Sequence, residues 1–198
     1  MAKAEKITTQ AKILEAAEAL FWRQGHKATS LDAIAKRAKQ SKGAVFHYFS
    51  NKNDVTLSVL HQYAAEELFA PLDRAFAQNK NVKDALMFYA QDLYVRYGEE
   101  AYKGGCLLGN MALELSDQDE SIRLELAKVF LEFENKLVNH LKESAGSAEI
   151  LMEPRQFARV FVAVIQGITM TIKVHKDKNR AAREFQALAE MVERLIRG

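Results

Sequence analysis

The chain has 198 residues, 48% of them apolar, with 28 Lys and Arg against 26 Asp and Glu. That length suits one large domain or two small ones with a real core, and the single cysteine, Cys106, excludes an intrachain disulfide and fits a reducing compartment. The near-neutral total conceals an asymmetry: residues 1–53 hold ten basic against four acidic side chains, a net of +6, leaving 18 against 22, a net of −4; a basic end on a mildly acidic body suggests that the first segment meets a polyanion.

The chain reads as helical almost throughout, with only two prolines and no sustained period-2 alternation, so no sheet is expected. Glu15 and Glu18 interrupt any secretory h-region, and the most apolar stretch, 157–172, contains Arg159 and Gln166 and is shorter than a membrane span. A cytoplasmic location without a membrane partner follows. The first helix is expected over 8–24, with Ile13, Ala16, Ala17, Leu20 and Phe21 as its stripe and Gly25 as its stop. Thr29 and Asp32 resemble a capping box opening a second, in which Leu31, Ile34, Ala35 and Ala38 keep helical spacing. Ser41 caps a third, which gathers Lys42, Gly43, His47 and Tyr48; two short helices and a tight turn make a helix-turn-helix. Ser50 or Asn51 caps a long fourth helix over 52–78, kinked or ended by Pro71.

Further helices are expected over 82–97, 106–115, 118–143, 154–175 and 180–197, with a break at Gly104 and Gly105 and Pro154 in a first turn. In the 154–175 helix Phe157, Val160, Phe161, Val162, Val164, Ile165, Ile168, Met170 and Ile172 cover nearly the whole circumference, so it must be buried on several sides. The last helix adds Phe185, Leu188, Ala189, Val192, Leu195 and Ile196. These two helices are expected to form half of an intersubunit four-helix bundle, with Phe157, Phe161, Val164, Ile165, Ile168, Phe185, Leu188, Val192 and Leu195 at the interface; a central helix in a monomer is the alternative.

The segments Ile-Leu-Glu-Ala-Ala-Glu-Ala-Leu-Phe from Ile13, Ala-Thr-Ser-Leu-Asp-Ala-Ile-Ala from Ala28 and Ser-Lys-Gly-Ala-Val-Phe-His-Tyr-Phe-Ser-Asn-Lys from Ser41 together resemble the TetR family of transcriptional regulators. The resemblance implies an all-α homodimer, with a helix-turn-helix unit over 1–53 and a ligand-binding and dimerisation unit over 54–198. It implies binding to a palindromic double-stranded operator, commonly as a repressor, and release by a small-molecule inducer, without a cofactor. Carried over by position, Lys42 and His47 face base edges and Ala44 offers a methyl to thymine. Thr29, Ser30, Tyr48 and Lys52 suit phosphates, Gly43 allows close approach, Phe46 packs on sugar or thymine methyl, and Val45 and Phe49 face inward. Lys39 stands where the family's turn usually has Gly; a left-handed Lys39 costs on the order of 1 kcal/mol, which a phosphate contact from its ammonium would offset. Gln40 stands where an apolar residue is usual.

Cys106 follows Gly104 and Gly105 at the start of a helix, with Lys103 nearby, a setting that favours a thiolate. Its Gly-Cys-Leu context resembles family members that sense oxidants or electrophiles; an inert buried thiol is the alternative. Tyr63, Phe88, Tyr89, Met111, Phe130, Phe133, Gln166 and Met170 are candidates for a pocket, although residues of these types at helical spacing more often pack a core or an interface, and Gln166 as an amide on an apolar helix needs partners. His61, His140 and His175 show no metal spacing. No Cys/His catalytic signature or phosphate-cradling Gly loop is present, so no enzyme is expected; a nonspecific architectural DNA binder is the competing class.

Overall fold

The computed structural model describes residues 8–96, 104–144 and 149–197. Helix α1 (Thr9–Gln24) starts where the Thr8 hydroxyl accepts the Ala11 N–H and ends at Gly25, whose φ of 85° turns the chain away. It buries Ile13, Ala16, Ala17 and Phe21 against α2 (Leu31–Ala38), α3 (Lys42–Tyr48) and the start of α4 (Lys52–Tyr63). The α2 cap is Ser30, whose Oγ accepts from Ala33 N–H at 3.1 Å, rather than the expected Thr29. Asn51 caps α4, with Asp54 accepting the Ser50 N–H in return.

Between α2 and α3 the backbone closes a Schellman turn: Gln40 N–H reaches Ala35 O and Lys39 N–H reaches Lys36 O. Lys39 sits at φ 55°, ψ 41°, so the family's usual turn survives with a lysine in the left-handed position. Lys39→Gly is expected to raise stability by about 1 kcal/mol, or roughly 2–4 °C in Tm for a chain of this size. A thermal melt that does not move would show that the lysine pays no backbone cost.

Pro71 shapes the connector. It has no N–H, and its ring excludes the carbonyl four residues earlier, that of Glu67, from α-helical pairing. The chain responds with a π-helical stretch, Ala64–Phe69, before α5 (Ala70–Gln78), so the rod continues without ending. The freed Glu67 carbonyl accepts from Arg96 Nη2 at 2.9 Å, while Nη1 of the same guanidinium pairs with the Glu67 carboxylate. Arg96 is the last residue of α6 (Val82–Arg96), so this contact fastens α6 to the connector.

The body is completed by α7 (Leu107–Leu115), α8 (Glu120–Glu143), α9 (Pro154–His175) and α10 (Lys178–Leu195). Caps at Asp119, Glu153 and Asp177 set the starts of the last three, each accepting a first-turn N–H. The core between α6, α8 and α9 packs Tyr89 at a tilt against Phe133 and Phe161, and Phe161 stacks on Phe157. One expectation fails at the margin: Glu149–Ile150 and Ile196–Arg197 pair as a two-stranded antiparallel ladder. Burial of Ile196 anchors it, and two-residue strands are too short to show alternation.

Packing bears on two larger expectations. The full α9 spans 22 residues and by length and composition alone is long enough to cross a membrane; here its Phe157, Phe161, Ile165 and Ile172 are buried in the body. The expected dimer residues are consumed by the same core. Phe157, Phe161, Ile165 and Ile168 of α9 and Phe185, Leu188 and Val192 of α10 are buried within the single chain, and Val164 and Leu195 are partly buried against it. The α10 stripe is taken up by α6, because the two helices lie side by side.

What α9 leaves outside is a second stripe: Val160, Ala163, Gly167, Met170 and Val174, spaced three and four apart, with Met170 53% and Val174 70% exposed. Beside it α8 exposes Leu124, Ala127 and Leu131 in the same rhythm.

Candidate functional site

Ser41 opens α3 by accepting the Ala44 N–H at 3.1 Å, and Val45 and Phe49 turn into the three-helix core. Everything else on α3 faces out. Lys42, Gly43 and His47 are exposed and Ala44 is half-buried; Phe46 and Tyr48 are 47% and 43% exposed, an unusual outlay of aromatic surface for seven residues. The His47 and Tyr48 rings meet edge to face at 4.9 Å between centroids. Ser30 and Lys39 lie exposed beside them. Lys42 Nζ is held 2.8 Å from the Asp32 carboxylate, a solvent-exposed pair that costs little to open.

Two expected phosphate contacts are instead structural. Thr29 is buried: its hydroxyl donates to Gly25 O at 2.8 Å and accepts from Gln24 Nε2. Lys52 turns inward and donates to His26 O, and burial holds its ammonium below the usual lysine range. Both tie down the loop at 25–30.

That loop is also gripped from the body. Glu114, at the end of α7, accepts the N–H groups of His26 and Lys27 at 2.9 and 2.7 Å. At the other end of the same helix, Trp22 of α1 donates from Nε1 to Gly105 O at 2.7 Å. Gly104 is required there, since a Cβ would lie 2.6 Å from Trp22 Cε2. The His26 ring packs on Phe21 and bonds Thr56 Oγ1 at 3.0 Å. Thr56 already spends its proton on Lys52 O, so His26 Nε2 is the donor and the ring is neutral; burial and then the Lys52 charge lower its pKa to about 4. Sequence reasoning passed over this seam; the chain's only tryptophan was the available signal.

Along the seam runs an open trough lined by Glu15, Glu18, Trp22, Arg23, Glu114 and Lys173 among others. Burial, followed by the charges of Glu67, Glu66 and Glu15, raises Glu18 to about 7. Between its ordinary 4.5 and that value the folded chain holds a proton that the unfolded chain has lost, so this group subtracts stability as pH rises through the window. Glu18→Gln is therefore expected to melt above the parent at pH 8, with the gap closing toward pH 5. A constant gap across that range would remove the electrostatic cause.

Cys106 sits immediately before α7, buried. Burial pushes its thiol up, against hydrogen bonds from the Gly109 N–H, the Gln166 side chain, the Leu108 N–H and the Tyr63 hydroxyl that favour the thiolate. The expected helix N-terminus is present, but desolvation outweighs it; Lys103 lies outside the described residues. A cavity of about 310 Å³ opens at this sulfur, lined by Cys106, Gly109, Phe130, Gln166 and Met170 with Asn110, Ala112, Leu113, Gly167 and Thr169. Four of the expected pocket residues thus meet: Cys106, Phe130, Gln166 and Met170. Tyr63 stands behind the cysteine. Tyr89, Phe133 and Met111 are buried in the core, where the Tyr89 and Phe133 rings meet, and Phe88 lies exposed on α6.

Residues 13–59 match the family model described as bacterial regulatory proteins, tetR family, and residues 84–188 match the tetracyclin repressor-like C-terminal domain. The chain is 28% identical over 191 residues to an HTH-type transcriptional regulator in the lacX 3' region of Lactococcus lactis subsp. lactis, covering 94% of each. It is 23% identical to the HTH-type transcriptional repressor NemR of Escherichia coli K12, covering 85% of this chain and 86% of that one. Among solved structures, the reduced form of E. coli NemR superposes with a TM-score of 0.82 at 22% identity, covering 96% and 97% of the two chains. The regulatory protein TetR from Rhodobacter sphaeroides gives 0.81 at 20% identity, covering 92% and 97%. With an exposed helix-turn-helix over the first match and a helical C-terminal match over more than half of the chain, the chain belongs to the TetR family of DNA-binding transcriptional regulators.

Proposed function

We propose that the chain is a cytoplasmic repressor that binds a palindromic operator as a homodimer and lets go when a small molecule occupies or modifies the pocket at Cys106. The division is 1–53 for DNA and 54–198 for ligand and dimer. The observation that carries the DNA half is the outward set on α3, with Lys42 and His47 toward base edges, Ala44 toward a thymine methyl, and Gly43 and Phe46 close to the sugar. Ser30, Lys39, Ser41 and Tyr48 serve phosphates. The α8–α9 stripe replaces the α9–α10 pair as the dimer face: it is apolar, runs about 21 Å from Val160 to Val174 at 1.5 Å per residue, and keeps coiled-coil spacing. A second copy presents the same stripe to it.

The signal half is supported by the route out of the pocket. Helix α7 starts beside the Cys106 sulfur and ends at Glu114, whose carboxylate holds the turn between α1 and α2. Cys106→Ser is expected to retain operator binding in gel retardation and to lose release by quinones or aldehydes. Unchanged release eliminates covalent sensing and leaves the second reading, a noncovalent apolar ligand, which the buried and proton-retaining thiol favours. Footprinting tests the whole: a protected inverted repeat with half-sites about 34 Å or a multiple apart is expected, and uniform coating would make the chain an architectural binder.

A further inference from the structure

Glu18 lies half-buried where α1 meets the connector, within the field of the π-helical stretch Ala64–Phe69. Glu15 stands one turn away on the same face of α1, and Glu66 and Glu67 stand on the stretch itself. Four carboxylates therefore meet at one joint. The cations nearby are engaged: Arg96 of α6 pairs with Glu67 and, through Nε at 2.9 Å, with Asp92, while Lys173 of α9 donates to Asn110 Oδ1 at 2.9 Å. Arg23 lines the trough further along α1, and Glu114 of α7 gives its oxygens to the N–H groups of His26 and Lys27. On α4, Lys52 donates to His26 O and His61 pairs with Glu125. Glu18 itself has no hydrogen-bond or ion-pair partner among the described residues. The joint is also the place where the connector can bend, because a π-helical turn interrupts regular α pairing and is one of the few recognised causes of a helix kink. On one side of it lie α1, α2, α3 and the start of α4, and on the other lie α5 and the body.

We propose that this joint is a proton-operated hinge. With Glu18 protonated, α1 stays seated on the π-helical stretch; with Glu18 ionised, the carboxylates push the two apart, loosening the helix-turn-helix unit and weakening its hold on operator DNA. The inference rests on the operator-binding reading and on no particular dimer face or pocket occupant. Burial, then the charges of Glu67, Glu66 and Glu15, raise the seated Glu18 to about 7, whereas a Glu18 released to water returns toward 4.5. Seating is therefore favoured most below the released value and is lost as pH rises through the seated one. With those two values the seating equilibrium falls by about tenfold between pH 6 and pH 8. A loose joint costs affinity because DNA binding must order it again. His26, lowered to about 4, stays neutral throughout this window.

Two readouts test the hinge, one without DNA. Amide hydrogen exchange of the full-length protein, corrected for the intrinsic effect of pH, is expected to show protection over 15–24 and 64–69 falling by up to about tenfold from pH 6 to pH 8, with no such fall in Glu18→Gln. Operator affinity by fluorescence anisotropy is expected to drop over the same range by about threefold to tenfold more in the parent than in Glu18→Gln, which mimics the protonated acid. His47, which faces DNA, is present in both proteins, so the difference between them belongs to Glu18. Glu66→Gln, at an exposed position, should move the midpoint of both profiles to lower pH. Parallel profiles for parent and Glu18→Gln in either readout, or a midpoint that Glu66→Gln leaves in place, overturn the inference. Exchange that follows Glu18 in a protein that binds no operator at any pH instead overturns the operator-binding reading and leaves the hinge standing.

Discussion

Glu114→Ala is expected to lower the melting temperature by about 5–10 °C, corresponding to about 2–3 kcal/mol for two lost charge-assisted hydrogen bonds in a chain of this size. The N–H groups of His26 and Lys27 lose their acceptor together, and Gly25 loses the carboxylate packed against it. Glu114→Gln should fall between, since an amide offers one oxygen where the carboxylate offers two. The functional consequence is separate from the thermal one. With the turn between α1 and α2 unmoored from α7, operator affinity measured by fluorescence anisotropy should become less sensitive to whatever occupies the Cys106 pocket. A variant with parental Tm and parental response would mean that the seam is incidental.

Lys42→Ala and His47→Ala are each expected to weaken operator binding by about tenfold to a hundredfold, the 1–3 kcal/mol of a base-edge contact, and to relax sequence preference. Thermal stability should stay within about 0.5 kcal/mol, because both side chains are exposed and Lys42 engages only the exposed Asp32. Asp32→Ala supplies the opposite sign: it frees the Lys42 ammonium and removes an anion beside the phosphate track, so affinity should rise. Competition titrations against operator and scrambled duplex separate specific from general binding. Equal losses on both would reduce Lys42 and His47 to phosphate contacts.

The α3 surface was legible in the sequence because a seven-residue helix held inward at Val45, and by Phe49 just past its end, leaves little choice about where the others point. Thr29 and Lys52 were not, since both types suit phosphate and only the loop at 25–30 shows that their polar atoms are spent inside. That most of the residues expected at the dimer face are buried within the single chain was hidden for a related reason. A helix apolar on all sides, such as α9, cannot say from its own pattern which side its own chain covers; the position of α6 against α10 and of α8 against α9 decides it. The sulfur of Cys106 illustrates competing effects: its helix N-terminus was visible in advance, whereas burial, which reverses the sign of the shift, belongs to the tertiary structure.

Trp22 is the only indole in the chain, and its N–H is bonded to the carbonyl of Gly105, one residue from the cysteine. The protein therefore carries its own optical gauge. Tryptophan emission will register any event that pulls Gly105 away from α1, in a protein with no label and before any DNA is added, so seam opening can be timed against ligand addition in a stopped-flow trace.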